Sequence, residues 1–150
     1  MFKPNILLTT IPSDSHNWNL VYMQLLLEEN GFEVTNLGPC TPFDEVEKQC
    51  YSLMPQFVIV STVNGHGYIE GKELITRLRA IPHMTDTGIY IGGKLSTDFD
   101  TSCFYAAELE MTGFTKAYYE NINPINFVAE LKLQLVEQEK EQEFTKSLNA

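Results

Sequence analysis

The sequence predicts an α/β fold with one parallel β-sheet and helices on both of its faces. Short apolar runs alternate five times with longer helical patterns along the 150 residues, which is typical of βαβ units with right-handed crossovers. The first run, residues 5–11, is almost continuously apolar, as expected of a strand that is buried on both faces. The length fits one domain, and 43% hydrophobic residues are enough for a core.

The helices are predicted from their apolar spacing and their end signals. In residues 18–30 the apolar positions recur on one helical face, and Gly31 suits the left-handed position after a helix C-terminus. The second helix opens with Thr41 as N-cap, Pro42 at the first helical position and Asp44 at the third. The five predicted helices cover residues 18–30, 41–53, 69–80, 101–111, which Gly113 ends, and 123 past 136.

The strands are predicted from short runs of apolar and β-branched residues between turn signals. The five predicted strands cover residues 5–11, 32–37, 57–61, 88–91 and 116–119. Units of about 30 residues with short connections favour the strand order 2-1-3-4-5, which is the flavodoxin-like (Rossmann-like) arrangement.

The end of the chain differs in composition from the rest. Residues 137–150 are mostly Glu, Gln and Lys, so we expect a charged, solvated helix end or tail that frays. The folded domain is therefore predicted to cover residues 1–136, without internal repeats or a linker.

Charge and cysteine usage narrow the function classes. A net charge of −10 argues against binding to a nucleic-acid backbone, and no segment is apolar enough to suggest a membrane span. Cys40, Cys50 and Cys103 are odd in number and widely spaced, which suits a reducing cytoplasm rather than a disulfide framework or zinc cluster. The first five residues lead directly into a strand, so we expect no signal peptide and a cytoplasmic location.

Three short motifs follow predicted strands. Asp14-Ser15-His16 follows the first strand, Ser61-Thr62-Val63 ends the third, and Gly92-Gly93 follows the fourth. The carboxyl ends of parallel strands meet at one edge of the sheet, where open α/β folds bind ligands. The motifs therefore predict one binding site.

The residue types in these motifs fit a metal-containing ligand. Neutral imidazole is a good ligand for several borderline metals, so His16 is the candidate ligand, and the Asp14 carboxylate is placed to hold its other ring nitrogen. The Ser61 hydroxyl can hydrogen-bond a buried ring nitrogen, and Gly92 and Gly93 allow close approach of a ligand. Each feature alone also fits a loop histidine beside a capping aspartate, a polar strand end, or a turn.

Together these motifs resemble the D-x-H-x-x-G, S-x-L and G-G signature of cobalamin (vitamin B12) binding domains over residues 3–135. They are most similar to the small subunit of the glutamate mutases, or methylaspartate mutases, which have a glycine-spaced loop like residues 64–68. The sequence departs from the family at Asn19, which replaces a glycine, and at Val63, which replaces a leucine. Because asparagine tolerates left-handed backbone, we expect the turn at Asn19 to survive, with its side chain close to the corrin.

The resemblance implies that His16 replaces the dimethylbenzimidazole below cobalt, that Asp14 holds His16, and that the displaced nucleotide tail threads past Ser61. It implies adenosylcobalamin as cofactor of a carbon-skeleton mutase that interconverts glutamate and 3-methylaspartate. It further implies a large TIM-barrel partner subunit that carries the substrate residues, an assembly such as a heterotetramer, and no catalytic residue on this chain. The implied cofactor contacts are Asp14, Ser15, His16 as cobalt ligand, Asn17, Ser61, Val63, Gly65, Gly92 and Gly93.

Four other kinds of protein share this cofactor or this fold. A corrinoid methyl carrier usually has a helical cap before this domain, and a cobalamin carrier or sensor is normally attached to a further domain. A flavodoxin would need a glycine in the first loop, and a response-regulator receiver would need an aspartate in place of Ser61.

Overall fold

The computed structural model describes residues 3–150, in which five parallel strands form one sheet between helices. The prediction of an N-terminus without a signal peptide falls partly on Met1 and Phe2, which lie outside the described residues. The elements in chain order are β1 (Asn5–Thr9), α1 (Trp18–Glu29), β2 (Glu33–Asn36), α2 (Phe43–Leu53), β3 (Phe57–Thr62), α3 (Gly67–Arg79), a 3₁₀ turn (Pro82–Met84), β4 (Gly88–Gly93), α4 (Phe99–Thr112), β5 (Lys116–Ala117) and α5 (Pro124–Leu148).

The sheet has the strand order β2-β1-β3-β4-β5, and every neighbouring pair is parallel. This confirms the predicted fold class. The register between β3 and β4 places Ser61 beside Gly92 and Thr62 beside Gly93. Two of the three sequence motifs are therefore direct neighbours at the carboxyl edge of the sheet, and the loop after β1 lies beside them.

The core has two layers because side chains alternate between the two faces of each strand. On one face, buried strand residues pack against α2, α3 and α4. On the other, they pack against α1 and α5, and aromatic rings meet edge to face: the ring centroids of Phe57 and Tyr90 are 6.1 Å apart, and those of Tyr90 and Phe127 are 5.8 Å apart. Tyr90 shares this second face with Gly92, two residues further along β4.

The ends of β1 and β4 differ from the prediction for different reasons. β1 ends at Thr9 rather than Ile11, because its last paired residue lies opposite Val60. Ile11 is nevertheless fully buried, and its carbonyl accepts a hydrogen bond from the backbone N–H of Asp14 in a turn. β4 extends further than predicted, to Gly93, since it pairs with β3 to the end of both strands.

The starts of α2, α3 and α4 also differ from the prediction, and α3 begins at Gly67 rather than at residue 69. Thr41 does not cap α2, because its hydroxyl donates to the carbonyl of Gly38 at 2.7 Å, and Pro42 is the N-cap without a side-chain bond. α4 begins earlier than predicted, at Phe99, because the Asp98 carboxylate accepts a hydrogen bond from the N–H of Asp100 and caps the helix.

The last helix begins as predicted and continues through the charged segment. Asn123 caps α5 by accepting from the backbone N–H of Ile125, and Pro124 takes the first turn. α5 is 25 residues long and ends at Leu148, and its side chains beyond Val136 are mostly exposed. Fraying of this end stays a prediction. Across residues 3–150, no helix combines the length and apolar character that a membrane crossing requires.

Candidate functional site

Asp14 lies at the centre of the site and joins two loops. It is 0% exposed, and its two carboxylate oxygens accept five hydrogen bonds. Oδ1 accepts from the backbone N–H of His16 at 3.1 Å and lies 2.7 Å from its ring Nδ1. Oδ2 accepts from the hydroxyl of Thr62 at 3.0 Å and from the N–H groups of Val63 at 2.7 Å and Asn64 at 3.2 Å. The loop after β1 is thereby tied to the end of β3.

These hydrogen bonds keep Asp14 ionised despite its burial. Burial on its own raises the pKa of this carboxyl group. The backbone N–H groups of Val63 and His16, with the His16 ring and the Thr62 hydroxyl, outweigh burial and lower the pKa to about 2. Asp14 is therefore a carboxylate at neutral pH, so it can only accept hydrogen bonds.

The contact with Asp14 determines which nitrogen of the His16 ring carries the proton. Because the carboxylate only accepts, Nδ1 must carry the proton in the contact of 2.7 Å. The other ring nitrogen, Nε2, is then the one with a free lone pair in the neutral ring. The side chain is 57% exposed, so an ordered, accessible imidazole stands at the carboxyl edge of the sheet.

A cavity of about 190 Å³ opens beside this edge, between the sheet and helices α1 and α5. Its lining includes Met23 on α1, Ser61, Tyr90, Gly92, Tyr118 and Phe127. It lies on the aromatic face of the sheet, so much of its wall is apolar, and its polar lining residues include Ser61, Glu120 and Asn121. A flat heterocycle with one polar edge suits such a space.

Gly92 and Gly93, the last two residues of β4, are glycines for different structural reasons. Gly93 has a φ of +101°, and a Cβ there would lie 1.8 Å from the Thr62 carbonyl oxygen, so no other residue fits. A Cβ at Gly92 would meet Tyr118 at 3.5 Å, an ordinary contact. The backbone therefore requires Gly93, whereas Gly92 mainly keeps the cavity open.

The B12 binding domain family matches residues 4–111. The chain belongs to the B12-binding domain family. The glutamate mutase sigma subunit 1 of Haloarcula marismortui is similar, at 30% identity over 146 residues, and the match covers 91% of each protein. The HTH-type transcriptional repressor CarH of Myxococcus xanthus is 29% identical over 97 residues, which are 64% of this chain and 32% of CarH.

Solved structures share the fold of this B12-binding domain. A cobalamin-binding protein from Desulfitobacterium hafniense DCB-2 superposes with a TM-score of 0.69 at 22% identity. The match covers 87% of this chain and 58% of that protein, so this chain spans little more than half of it. At that identity the similarity shows the shared architecture.

The backbone at Asn19 differs from the prediction. Asn19 lies in the first turn of α1 and is not among the residues with positive φ, so the predicted left-handed turn is wrong. Its side chain turns towards the sheet: Nδ2 donates to the Ser61 hydroxyl oxygen at 2.9 Å and is 3.4 Å from the Ser61 carbonyl oxygen. α1 begins at Trp18, as the helix prediction for residues 18–30 expects, so at this position the helix prediction is confirmed and the turn prediction is not.

Within residues 3–150, the other predicted site residues make no side-chain hydrogen bond to His16, whose partner is Asp14. Ser15 and Asn17 flank it and are exposed, and Asn17 is the N-cap residue of α1. Val63 bonds Asp14 through its backbone and is partly exposed. Gly65 has a φ of +88°, and a Cβ there would lie 2.7 Å from the side chain of Thr97, so this loop also needs a glycine.

Sequence reasoning missed several residues of the site. The Thr62 hydroxyl and the Asn64 backbone bind Asp14, and Tyr90 and Tyr118 line the cavity. The two-residue period of a strand could have indicated Tyr90, since it points to the same face as Gly92. The contacts of Thr62 and Asn64 depend on loop geometry and have no such signal.

Proposed function

We propose that this domain carries adenosylcobalamin with its nucleotide base displaced from cobalt and with His16 Nε2 as the ligand from below. In this role the domain is the cofactor-binding subunit of a carbon-skeleton mutase that interconverts glutamate and 3-methylaspartate. One observation carries it: an exposed imidazole whose Nδ1 is held at 2.7 Å by a buried carboxylate. When bound, adenosylcobalamin supplies the radical chemistry, which the protein side chains do not.

The residues present fit this cofactor. A single neutral imidazole with a free Nε2 suits a metal whose other ligands come from a macrocycle. The Asp14 carboxylate fixes the tautomer and the ring orientation of His16, as expected of a partner of a metal-bound histidine. The cavity beside Gly92 offers room for the displaced nucleotide base. The Ser61 hydroxyl, which lines this cavity, can donate a hydrogen bond to a ring nitrogen of that base.

We further propose a large partner subunit, a TIM barrel that covers the upper face of the corrin and binds the substrate. An open sheet edge cannot exclude water from a radical reaction without a cover. Trp18, two residues from His16, is 82% exposed and offers an apolar contact for such a cover. A cytoplasmic location is part of the proposal and is supported by the free thiols of Cys40, Cys50 and Cys103.

The ligand assignment predicts a spectroscopic signature. In nitrogen-15-labelled protein loaded with the Co(II) form of cobalamin, we expect electron paramagnetic resonance to show hyperfine coupling to one protein nitrogen. His16→Ala should lose that coupling and weaken cobalamin binding by more than about 100-fold, beyond the range typical of residues that only hold a ligand.

The matched control for this experiment is His83→Ala. His83 lies in the 3₁₀ turn near the opposite end of the sheet, where its Nε2 is 3.1 Å from the Cys50 carbonyl oxygen. Coupling and affinity should match the wild type. Coupling to the cofactor's own benzimidazole nitrogen in the wild type would contradict the ligand assignment.

If this chain binds the cofactor and the partner subunit binds the substrate, only the assembled enzyme should be active. We expect no conversion of glutamate to 3-methylaspartate by this chain with adenosylcobalamin, and turnover when a mutase large subunit is added. The measurement is product formation over time in the two mixtures. Turnover by the isolated chain would contradict the subunit assignment.

A second candidate function is a cobalamin carrier or sensor without catalysis, and the similarity to the repressor CarH favours it. A corrinoid methyl carrier is the remaining alternative. Tight binding of cobalamin, combined with no turnover beside any mutase large subunit, would support these functions over the mutase.

A further inference from the structure

The last part of α5, residues 137–148, carries its large apolar side chains on the outer side of the helix. Residues three or four positions apart share one face of a helix. By this spacing, the face opposite the one that packs on the sheet has five exposed residues: Leu133, Val136, Lys140, Phe144 and Leu148. These five residues form the outer stripe of α5. Phe144 and Leu148 are 66% and 68% exposed, and a contiguous apolar surface of this kind marks an interaction site.

The inner side of the same segment is polar and stands apart from the rest of the domain. It faces the loops at the amino edge of the sheet across a groove of about 540 Å³. The α5 residues along this groove are Gln138, Glu141, Gln142, Thr145 and Lys146. Within residues 3–150, no side-chain hydrogen bond or ion pair joins residues 137–148 to another element. A helical segment of about 12 residues is marginally stable alone in water, so the outer stripe is the surface through which this segment can be held.

One copy of the chain cannot cover this stripe by itself. α5 is one continuous helix, so the first half of the stripe cannot turn back onto the second half. A second copy can cover it, because in a pair related by a two-fold axis residue i of one copy contacts residue j of the other, and j contacts i. The outer stripe suits this rule, since two apolar residues lie on each side of Lys140.

We propose that two copies of this chain form a dimer in which their α5 helices pair in antiparallel orientation through the outer stripe. One register serves the whole stripe, because a step forward on one helix matches a step back on the other. It places Leu133 of each copy opposite Phe144 of the other. It also places Leu148 opposite Ala129, a small exposed residue one turn before Leu133. The proposal does not depend on the proposed function, since residues 137–148 lie near the amino edge of the sheet, away from the histidine site at the carboxyl edge.

The charges of this segment agree with the antiparallel register. In that register, Lys140 of each copy lies opposite Glu137 of the other. The aliphatic stem of Lys140 then covers Val136 of the other copy, and its ammonium group reaches the Glu137 carboxylate. A parallel pair would instead set the two Lys140 ammonium groups against each other. Two ion pairs across the interface therefore favour the antiparallel arrangement.

The area is sufficient for a specific dimer. Burying one large apolar side chain removes on the order of 100 Å² from water. The dimer buries Leu133, Val136, Phe144 and Leu148 from both copies, together with the stems of Lys140. This brings the interface to about the 1,000 Å² that a specific contact between proteins needs.

The test measures the oligomeric state of the intact chain by sedimentation equilibrium over a range of micromolar concentrations. Moderate salt is included, because each copy has a net charge of −10 and salt screens the repulsion. We expect a reversible dimer for the wild type. Leu133→Glu and Phe144→Glu should each weaken it by more than about 100-fold, since each would bury an unpaired carboxylate among apolar side chains. Circular dichroism should show that both variants keep the fold, because both side chains are exposed in a single copy.

Charge substitutions test the register. Lys140→Glu should weaken the dimer about tenfold, because it removes two ion pairs and adds repulsion. The double variant that combines Glu137→Lys with Lys140→Glu should restore the affinity of the wild type. Lys146→Glu is the matched control: it changes the net charge equally, but Lys146 lies along the inner groove, so its dimer affinity should stay within about twofold of the wild type.

A wild type that stays monomeric over this range would overturn the dimer. A dimer that survives both Leu133→Glu and Phe144→Glu would overturn the outer stripe as its interface. Equal weakening by Lys140→Glu and Lys146→Glu, or a double variant that pairs no more tightly than Lys140→Glu, would overturn the antiparallel register.

Discussion

Gly93→Ala is expected to lower the free energy of unfolding by about 4 kcal/mol or more, which is exceptional for one methyl group. The added Cβ would lie 1.8 Å from the Thr62 carbonyl oxygen, and the φ of +101° is itself strained for alanine. That carbonyl oxygen also accepts the N–H of Lys94 at 2.8 Å, so moving it away breaks a second contact. Urea denaturation followed by circular dichroism measures the loss.

Gly92→Ala is the matched control, one residue away in the same strand. Its Cβ meets Tyr118 at an ordinary distance of 3.5 Å, so we expect stability within about 1 kcal/mol of the wild type. The added methyl group enters the cavity, so cobalamin affinity should fall roughly tenfold through overpacking against the nucleotide base. Cobinamide, a corrinoid without a nucleotide base, should bind as it does to the wild type. Equal stability of Gly93→Ala and Gly92→Ala would contradict the close approach between β3 and β4.

The fold was predictable because its signals are local and repeated. The apolar runs of β1, β3 and β4 are long enough to indicate strands buried on both faces, and the structure places them in the centre of the sheet. The sequence did not distinguish buried residues that pair in a strand from buried residues that lie outside it. Ile11 is fully buried but belongs to a turn, and an apolar residue gives the same signal in either setting.

Capping was predictable only where one geometry dominates. Asn123-Pro124 begins α5 as predicted, since proline in the first turn leaves few alternatives. Thr41 offered the same type of signal, but its hydroxyl bonds the Gly38 carbonyl in the preceding turn. Short polar side chains compete between such local partners, and the sequence does not show which of them is in reach.

The candidate site was predictable as a set of motifs but not as a network. Sequence spacing predicted that Asp14 and His16 act together, and the two side chains are in contact. It did not predict that Asp14 also accepts the N–H groups of Val63 and Asn64, because backbone donors carry no residue type. For Asn19 it gave two conflicting predictions, a left-handed turn from the family pattern and a helix from the apolar spacing, and the helix is the one that forms.

Asp14→Asn is expected to lower the free energy of unfolding by about 3 kcal/mol, because one acceptor oxygen becomes an N–H donor in a buried site. If the amide nitrogen replaces Oδ2, it faces the N–H groups of Val63 and Asn64; if it replaces Oδ1, it faces the N–H of His16. Both orientations leave buried donors unpaired. Cobalamin affinity should fall as well, since His16 loses the carboxylate that orients it.

Two variants separate these effects in the same urea and absorbance titrations. Asp100→Asn changes an exposed carboxylate in the first turn of α4, and its unfolding free energy should stay within about 1 kcal/mol of the wild type. His16→Ala keeps the bonds from Asp14 to β3 and should remain stable while it loses cobalamin. If Asp14→Asn were as stable as Asp100→Asn, Asp14 would serve His16 alone. A loss of stability with Asp14→Asn but not with His16→Ala would show that this carboxylate also holds together the two loops on which the histidine stands.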